Sequence, residues 1–331
     1  MRNLMFIPIA VLSCLILLPG ISHSADFELK LTTMMVKPHP FLDGVEYLVK
    51  RVQERTNGKV KINVYDGGKL GPDNVTLTGL QEGTIDFNWT GAAQTASFIP
   101  ELNFFGLSYL FKSPEHLEKA IRPDGFLHKR TAKLIEEKKL GFKFLVLSGG
   151  GIRNMSNRLR PVKSMEDLKG MKMRVPGSKT MVQLWKAYGA MPTTIDWTEL
   201  YSAIQAGVID AFESSTAAYR SSKLFEVAKY HSKTEHEIGI TLPLMSQKTY
   251  DRLPSDLRKV VEESIIEAAS ICTKAGFEQV KKDLEWFATK GVVVTEIDKG
   301  PFIKLTVPIQ DETAKQYKLE DALQEIRNLA K

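Results

Sequence analysis

The sequence predicts an α/β protein in two lobes, and three observations carry that expectation. Strand and helix patterns alternate from residue 27 to residue 89, and the alternation recurs from residue 153 to residue 212. Between residues 254 and 288 the pattern is helical with hardly a break. Repeated β-α-β units imply parallel strands joined by right-handed crossovers. A helix of that length, at ~1.5 Å per residue, exceeds the diameter of one lobe and is expected to span both.

The elements follow in order. Residues 27–34 alternate apolar and polar side chains, as a half-buried strand does. Residues 39–56 read as a helix, with Phe41, Val45, Leu48, Val49 and Val52 on one face and Gly58 beyond its end. Residues 60–65 are a strand, residues 74–81 a helix closed by Gly83, and residues 84–89 a third strand. An aromatic-rich irregular stretch covers 100–111, and 115–139 is mostly helical. Residues 141–148 form an apolar strand; the following Gly149-Gly150-Gly151 is either a hinge between lobes or a plain loop.

The second run begins with an extended stretch at 153–157. Ser164 caps a short helix that includes Asp167, and 172–175 is a strand. Helices are expected at 179–188, 199–205 and 217–227, and strands at 191–195, 209–212 and 292–296. Residues 229–234 lead out, and 241–245 return to the first lobe as a strand. Gly276 is expected to kink the long helix, and residues 317–330 close the chain as an amphipathic helix. The first lobe is then 26–150 with about 240–279, and the second 151–239 with about 280–331. No repeat of fixed period is evident.

Both ends and composition bound the function. Arg2, an apolar run from Leu4 to Leu18, the helix-breaking Pro19-Gly20 and the small-residue stretch Ser22-His23-Ser24-Ala25 read as a signal peptide. Cleavage is expected after Ser24 or Ala25, which places the mature protein in the periplasm. Cys14 leaves with that peptide, so Cys272 remains as a lone thiol and no intrachain disulfide can form. Lys and Arg total 45 against 39 Asp and Glu, an excess too small and scattered to suit nucleic acid. No GxSxG, P-loop or HExxH motif occurs, no cofactor is implied, and no carboxylate pair has a spacing that demands acid/base work. His231 and His236 with Glu235 and Glu237 lack a third fixed ligand for a metal.

The most informative stretch is Asp167-Leu168-Lys169-Gly170-Met171-Lys172-Met173-Arg174-Val175-Pro176. A turn ends at Gly170, a short strand follows, and Pro176 stops the ladder just past Arg174. A guanidinium at a strand exit offers a planar fork of donors matched to a carboxylate. Arg153 lies upstream, and Trp197, Tyr201 and Ser214 downstream. Glu213 reads as a structural partner for an arginine, and His236 equally as a core or a pocket residue. The reading is an anion receptor rather than an enzyme.

At this point the chain resembles the extracytoplasmic solute-binding proteins of tripartite ATP-independent periplasmic (TRAP) transporters, the C4-dicarboxylate-binding DctP type. The resemblance covers essentially the whole mature chain. It is carried by Gly68-Lys69-Leu70-Gly71, by Leu80-Gln81-Glu82-Gly83-Thr84-Ile85-Asp86, by residues 167–176, and by Gln205-Ala206-Gly207-Val208-Ile209-Asp210. It implies a two-lobed periplasmic-binding-protein fold with hinge strands and a long shared helix, closing on an organic acid. It also implies an ion-gradient-driven membrane permease as partner, with the receptor a monomer. Arg174 matches the family's ligand-carboxylate arginine, and Arg153 a second one, with Arg158 the alternative because the intervening segment is slightly longer here. Trp197 matches the aromatic that covers the ligand, and Ser214 a polar contact where several relatives carry Asn. Tyr201 and His236 match pocket or near-pocket positions, and Trp89 with Thr90 the wall of the first lobe. Two other functions would reuse the same pocket: a periplasmic enzyme acting on a carboxylated substrate, and the ligand-binding input protein of a sensor kinase.

Overall fold

The computed structural model describes residues 25–330. The expected signal peptide, including Arg2 and Cys14, lies outside those residues except for Ala25.

Among the described residues the strands join in one mixed sheet. They are β1 (Phe27–Thr32), β2 (Val60–Tyr65), β3 (Phe87–Gly91), β4 (Phe142–Phe144), β5 (Ser148–Asn157), β6 (Lys172–Val175), β7 (Met191–Thr194), β8 (Ala211–Ser215), β9 (Tyr230–Ser246) and β10 (Val293–Glu296). The main path runs β2-β1-β3-β9-β5-β8-β6-β7, with β4 and β10 attached to β9. Parallel pairing of β1 with β2 and β3, and of β6 with β7 and β8, is the expected product of β-α-β alternation in each half.

The two halves meet through β5 and β9. β9 pairs antiparallel with β3 near its C-terminus, Thr241 opposite Gly91, and with β5 over much of its length. The sequence pattern reads β9 as two pieces because its register slips: Arg153 faces Glu237, whereas Met155 faces Ser232. Glu235 absorbs the extra residues with a left-handed φ of 40°. The Gly149-Gly150-Gly151 run is neither a free loop nor a strand terminus. It lies within β5 at a second register slip, and Gly151 takes a φ of 84° that a side chain would strain.

Helix Pro40–Arg55 buries Val45, Leu48 and Val52 against Val261, Ile265 and Ala268 of helix Ser255–Thr289. That long helix runs as one unbroken element through Gly276. Gly276 is buried, and a Cβ there would sit 3.5 Å from the Gly151 nitrogen. The short turn after Ser164 is held from its other end: the Asp167 carboxylate accepts the backbone N–H groups of Lys163 and Ser164. The 217–227 expectation resolves into helix Thr216–Ser221 and a 3-10 turn Leu224–Glu226, separated by Lys223 at a φ of 56°.

Helix Gly300–Tyr317 is not visible in the sequence pattern, because Pro301 and Pro308 read as breakers. Pro301 stands in the first turn, where its missing N–H costs nothing. The chain closes with helix Glu320–Leu329. Its Ala322, Leu323 and Ile326 pack with Leu117, Leu127 and Leu134, in the core of the first half. The second-half core lies around Met173, Leu184 and Trp185 on one side and Phe212, Tyr219 and Phe287 on another.

Candidate functional site

Between the halves lies a cavity of about 740 Å³, including its mouth. The first half contributes His39, Asp73, Trp89 and Thr90; the second contributes Arg153, Trp197, Ser214 and, from β9, Glu237.

Pairing in the sheet builds the charged floor. Arg153 on β5 stands opposite Glu237 on β9 and opposite Ser215 on β8, which puts Glu213 diagonally on the same face. The guanidinium grips Glu213 bidentately, Nε to Oε2 at 2.5 Å and Nη2 to Oε1 at 2.7 Å, and lies 3.9 Å from Glu237. Burial alone would raise the Glu213 pKa, but Arg153 and His236 outweigh it and hold this carboxylate below the usual range. Glu237 has no such grip. Burial pushes it up to about 8 against the pull of Arg153, and its Oε2 is buried without a hydrogen-bond partner.

Arg174 sits on β6 between β7 and β8 and is 2% exposed. It does not line the cavity itself but lies behind Trp197, its guanidinium carbon 5.5 Å from the ring centre. Nε donates to the Ile195 carbonyl at 2.7 Å, while Nη1 is buried with no partner among the described residues. Burial pushes its pKa down to about 10, with Glu213 and Asp73 opposing. A guanidinium so enclosed and so little paired would gain from an anionic partner, because an unpaired buried charge is costly.

The remaining expected residues divide. Trp197 is half-buried at the cavity, Ser214 lines it, and Trp89 donates its indole N–H to Thr241 at 3.3 Å. Thr90 donates to Asp73 at 2.8 Å. Tyr201 does not line the cavity: on helix Leu200–Gln205 it is half-buried, and its hydroxyl donates to Glu226 at 2.9 Å. His236 is buried behind the floor, its Nε2 3.6 Å from Glu213 and its ring edge-on to Trp185. Arg158 is held by Asp210 at 2.8 Å, away from the cavity, so the second arginine at the cavity is Arg153.

Three titratable lining residues escape the sequence reading: Asp73, His39 and Glu237. Asp73 lies two residues beyond the Gly68–Gly71 motif, after Pro72, and opens helix Asp73–Glu82, a position that could have drawn notice. Its carboxyl is held above the usual range by burial, with Thr90 and Arg174 working the other way. Glu213, His236 and Glu237 each bring one ligand atom within 4.8 Å of the others. Arg153 already bonds both oxygens of Glu213, so a positive charge stands where a cation would have to sit.

A sheet shared by two halves, with a cavity between them and a buried arginine behind one wall, has the build of a solute receptor. The chain belongs to the bacterial extracellular solute-binding protein family 7, the DctP family, whose model matches residues 33–316. It is similar to the 2,3-diketo-L-gulonate-binding periplasmic protein of Escherichia coli K12, 30% identical over 252 residues and 76% of each chain. It also resembles a TRAP periplasmic solute-binding protein of Sulfitobacter sp. NAS-14.1 solved with β-D-galacturonate, with a TM-score of 0.84 and 29% identity over 91% of this chain and 99% of that one. A similar protein from Sulfurospirillum deleyianum, solved with succinate, gives a TM-score of 0.86 at 25% identity, covering 92% and 99%. These relatives are transport binding proteins, not enzymes.

Proposed function

We propose that this protein captures a hydroxylated monocarboxylate of sugar-acid type outside the cytoplasm. It delivers that ligand, without turning it over, to ion-gradient-driven permease subunits in the membrane. The chain is exported on its signal peptide and works as a monomer. Arg174 takes the carboxylate, Arg153 and Ser214 flank it, and Trp197 covers the ligand body. Trp89, Thr90 and Asp73 form the opposite wall. The cleft closes between a first lobe of 26–150, about 240–279 and the closing helix, and a second lobe made of the rest.

The observation that carries this reading is the buried, unpartnered Nη1 of Arg174 beside the cavity. The choice of a hydroxy acid over a dicarboxylate rests on the lining. Arg153 is the one Lys or Arg among its described residues, and Glu213 already engages it, while Asp73 is acidic. A second ligand carboxylate would meet Asp73, whereas a hydroxyl can donate to it. Relatives that hold galacturonate and 2,3-diketo-L-gulonate support the same class.

Thermal melting of the mature chain against D-glucuronate, D-galacturonate and succinate tests the reading. A ligand at a thousandfold its Kd adds ~4 kcal/mol of stability. The uronates should raise the melting temperature well above succinate, and Asp73→Asn should narrow that gap. Stabilisation by succinate alone would overturn the hydroxy-acid assignment; no shift with any acid would overturn the receptor reading.

A further inference from the structure

His39 is the N-cap of helix Pro40–Arg55 and also lines the cavity. Its Nδ1 accepts the backbone N–H of Phe41 at 3.1 Å. A backbone N–H can only donate, so Nδ1 must carry a lone pair. The proton of the neutral ring then resides on Nε2. The residue is 4% exposed, and its ring packs edge-on against Phe41 with centroids 4.5 Å apart. Among the described residues Nε2 has no hydrogen-bond partner. Burial pushes the imidazole pKa down to about 3, so the ring stays neutral over the whole working range.

We infer that His39 is a fixed-tautomer donor to the ligand: its Nε2–H meets an oxygen acceptor on the polar tail, away from the carboxylate held by the arginines. This deepens the sugar-acid reading and rests on it. A capping interaction that locks the tautomer does two things at once. It satisfies an orphan N–H at the helix start and points a permanent donor at the cavity. Paired with the acceptor Asp73 on the same wall, it gives the first half one donor and one acceptor, the pattern a hydroxyl answers. A second carboxylate could take the His39 donor but would be repelled by Asp73.

His39→Asn separates the two roles, because Asn is as good an N-cap but cannot reach with a ring Nε2–H. Calorimetric titration with D-galacturonate and D-glucuronate should show the better binder weakened ~3- to 10-fold, the worth of one hydrogen bond, with the melting temperature of the free variant unchanged. In wild-type protein labelled with ¹⁵N-histidine, His39 should be protonated at Nε2 and bare at Nδ1 from about pH 5 to 8. Its Nε2–H resonance should shift and exchange more slowly when either uronate saturates the protein. Unchanged affinity in the variant, or an Nε2–H signal indifferent to ligand, would overturn the inference and leave the sugar-acid reading standing. Failure of the wild type to bind either uronate would overturn both.

Discussion

Arg153 is neutralised inside the protein and Arg174 is not, and that asymmetry underlies the roles proposed for them. Two short bonds tie Arg153 to Glu213, so it serves as a positioned positive edge to the cavity. Nη1 of Arg174 has no partner among the described residues, and the proposed ligand carboxylate would supply one. Glu237 adds a pH dependence. Below about 8 it is neutral, and above that it becomes a carboxylate lining the same cavity as an anionic ligand. Affinity for a uronate should therefore fall as pH rises past 8, by up to ~10-fold per unit, and Glu237→Gln should flatten the profile. Titrations across that range check this; an equal slope in Glu237→Gln would assign the effect elsewhere. In the free protein the sign is the same. The stability contributed by neutral Glu237 is complete below 4.5 and is lost as pH climbs through 8. The strand position of Arg174 was legible because strand, arginine and proline are adjacent in sequence. That Tyr201 falls outside the cavity lining was not legible, because a short helix does not announce which face it buries. Asp73, His39 and Glu237 were missed because only the packing of distant strands brings them to one cavity.

At the scale of elements, two motifs turn out to be one device used twice. Residues 81–86 and 205–210 each end a helix, turn at a left-handed glycine (φ of 80° at Gly83 and 71° at Gly207) and bury an isoleucine. Each then offers an aspartate to the first strand of its half: Asp86 accepts the Lys30 N–H at 2.7 Å, and Asp210 the Lys172 N–H at 3.1 Å. The spacing between them follows no fixed period, which is why no repeat was read from the sequence. Close approach between helices is the second lesson. A Cβ at Gly44 would lie 2.9 Å from the Ala268 carbonyl oxygen and 3.1 Å from the Cys272 Cβ. Gly44→Ala should thus lower stability by ~1–3 kcal/mol despite its better helix propensity, because backbone cannot yield to it. Thermal melting checks this, and an unchanged or higher melting temperature would mean the two helices can separate freely. The strands and most helices were legible from alternation and glycine stops. Helix Gly300–Tyr317 was not, since an internal proline hides a helix that tertiary packing sustains.

On the scale of the whole molecule, the halves share β5, β9 and the long helix, and they also touch across the cavity mouth. A Cβ at Gly68 of the first half would lie 2.9 Å from Thr198 Cγ2, next to Trp197. Ser178 of the second half donates to Asn103 of the first at 2.8 Å. Ligand that touches both walls stabilises this arrangement by its differential affinity for the closed form. Sequence alternation announced two α/β halves, but the placement of the closing helix with the first core depends on long-range packing that no local pattern carries. The account as a whole rests on Arg174 as the ligand's anchor. Calorimetric titration of D-galacturonate and D-glucuronate into wild-type protein and Arg174→Ala tests it most directly. The prediction is a one-to-one isotherm in the wild type that weakens by at least ~30-fold in the variant, the cost of removing one partner of a buried charge pair. Equal affinity in the two proteins would contradict it.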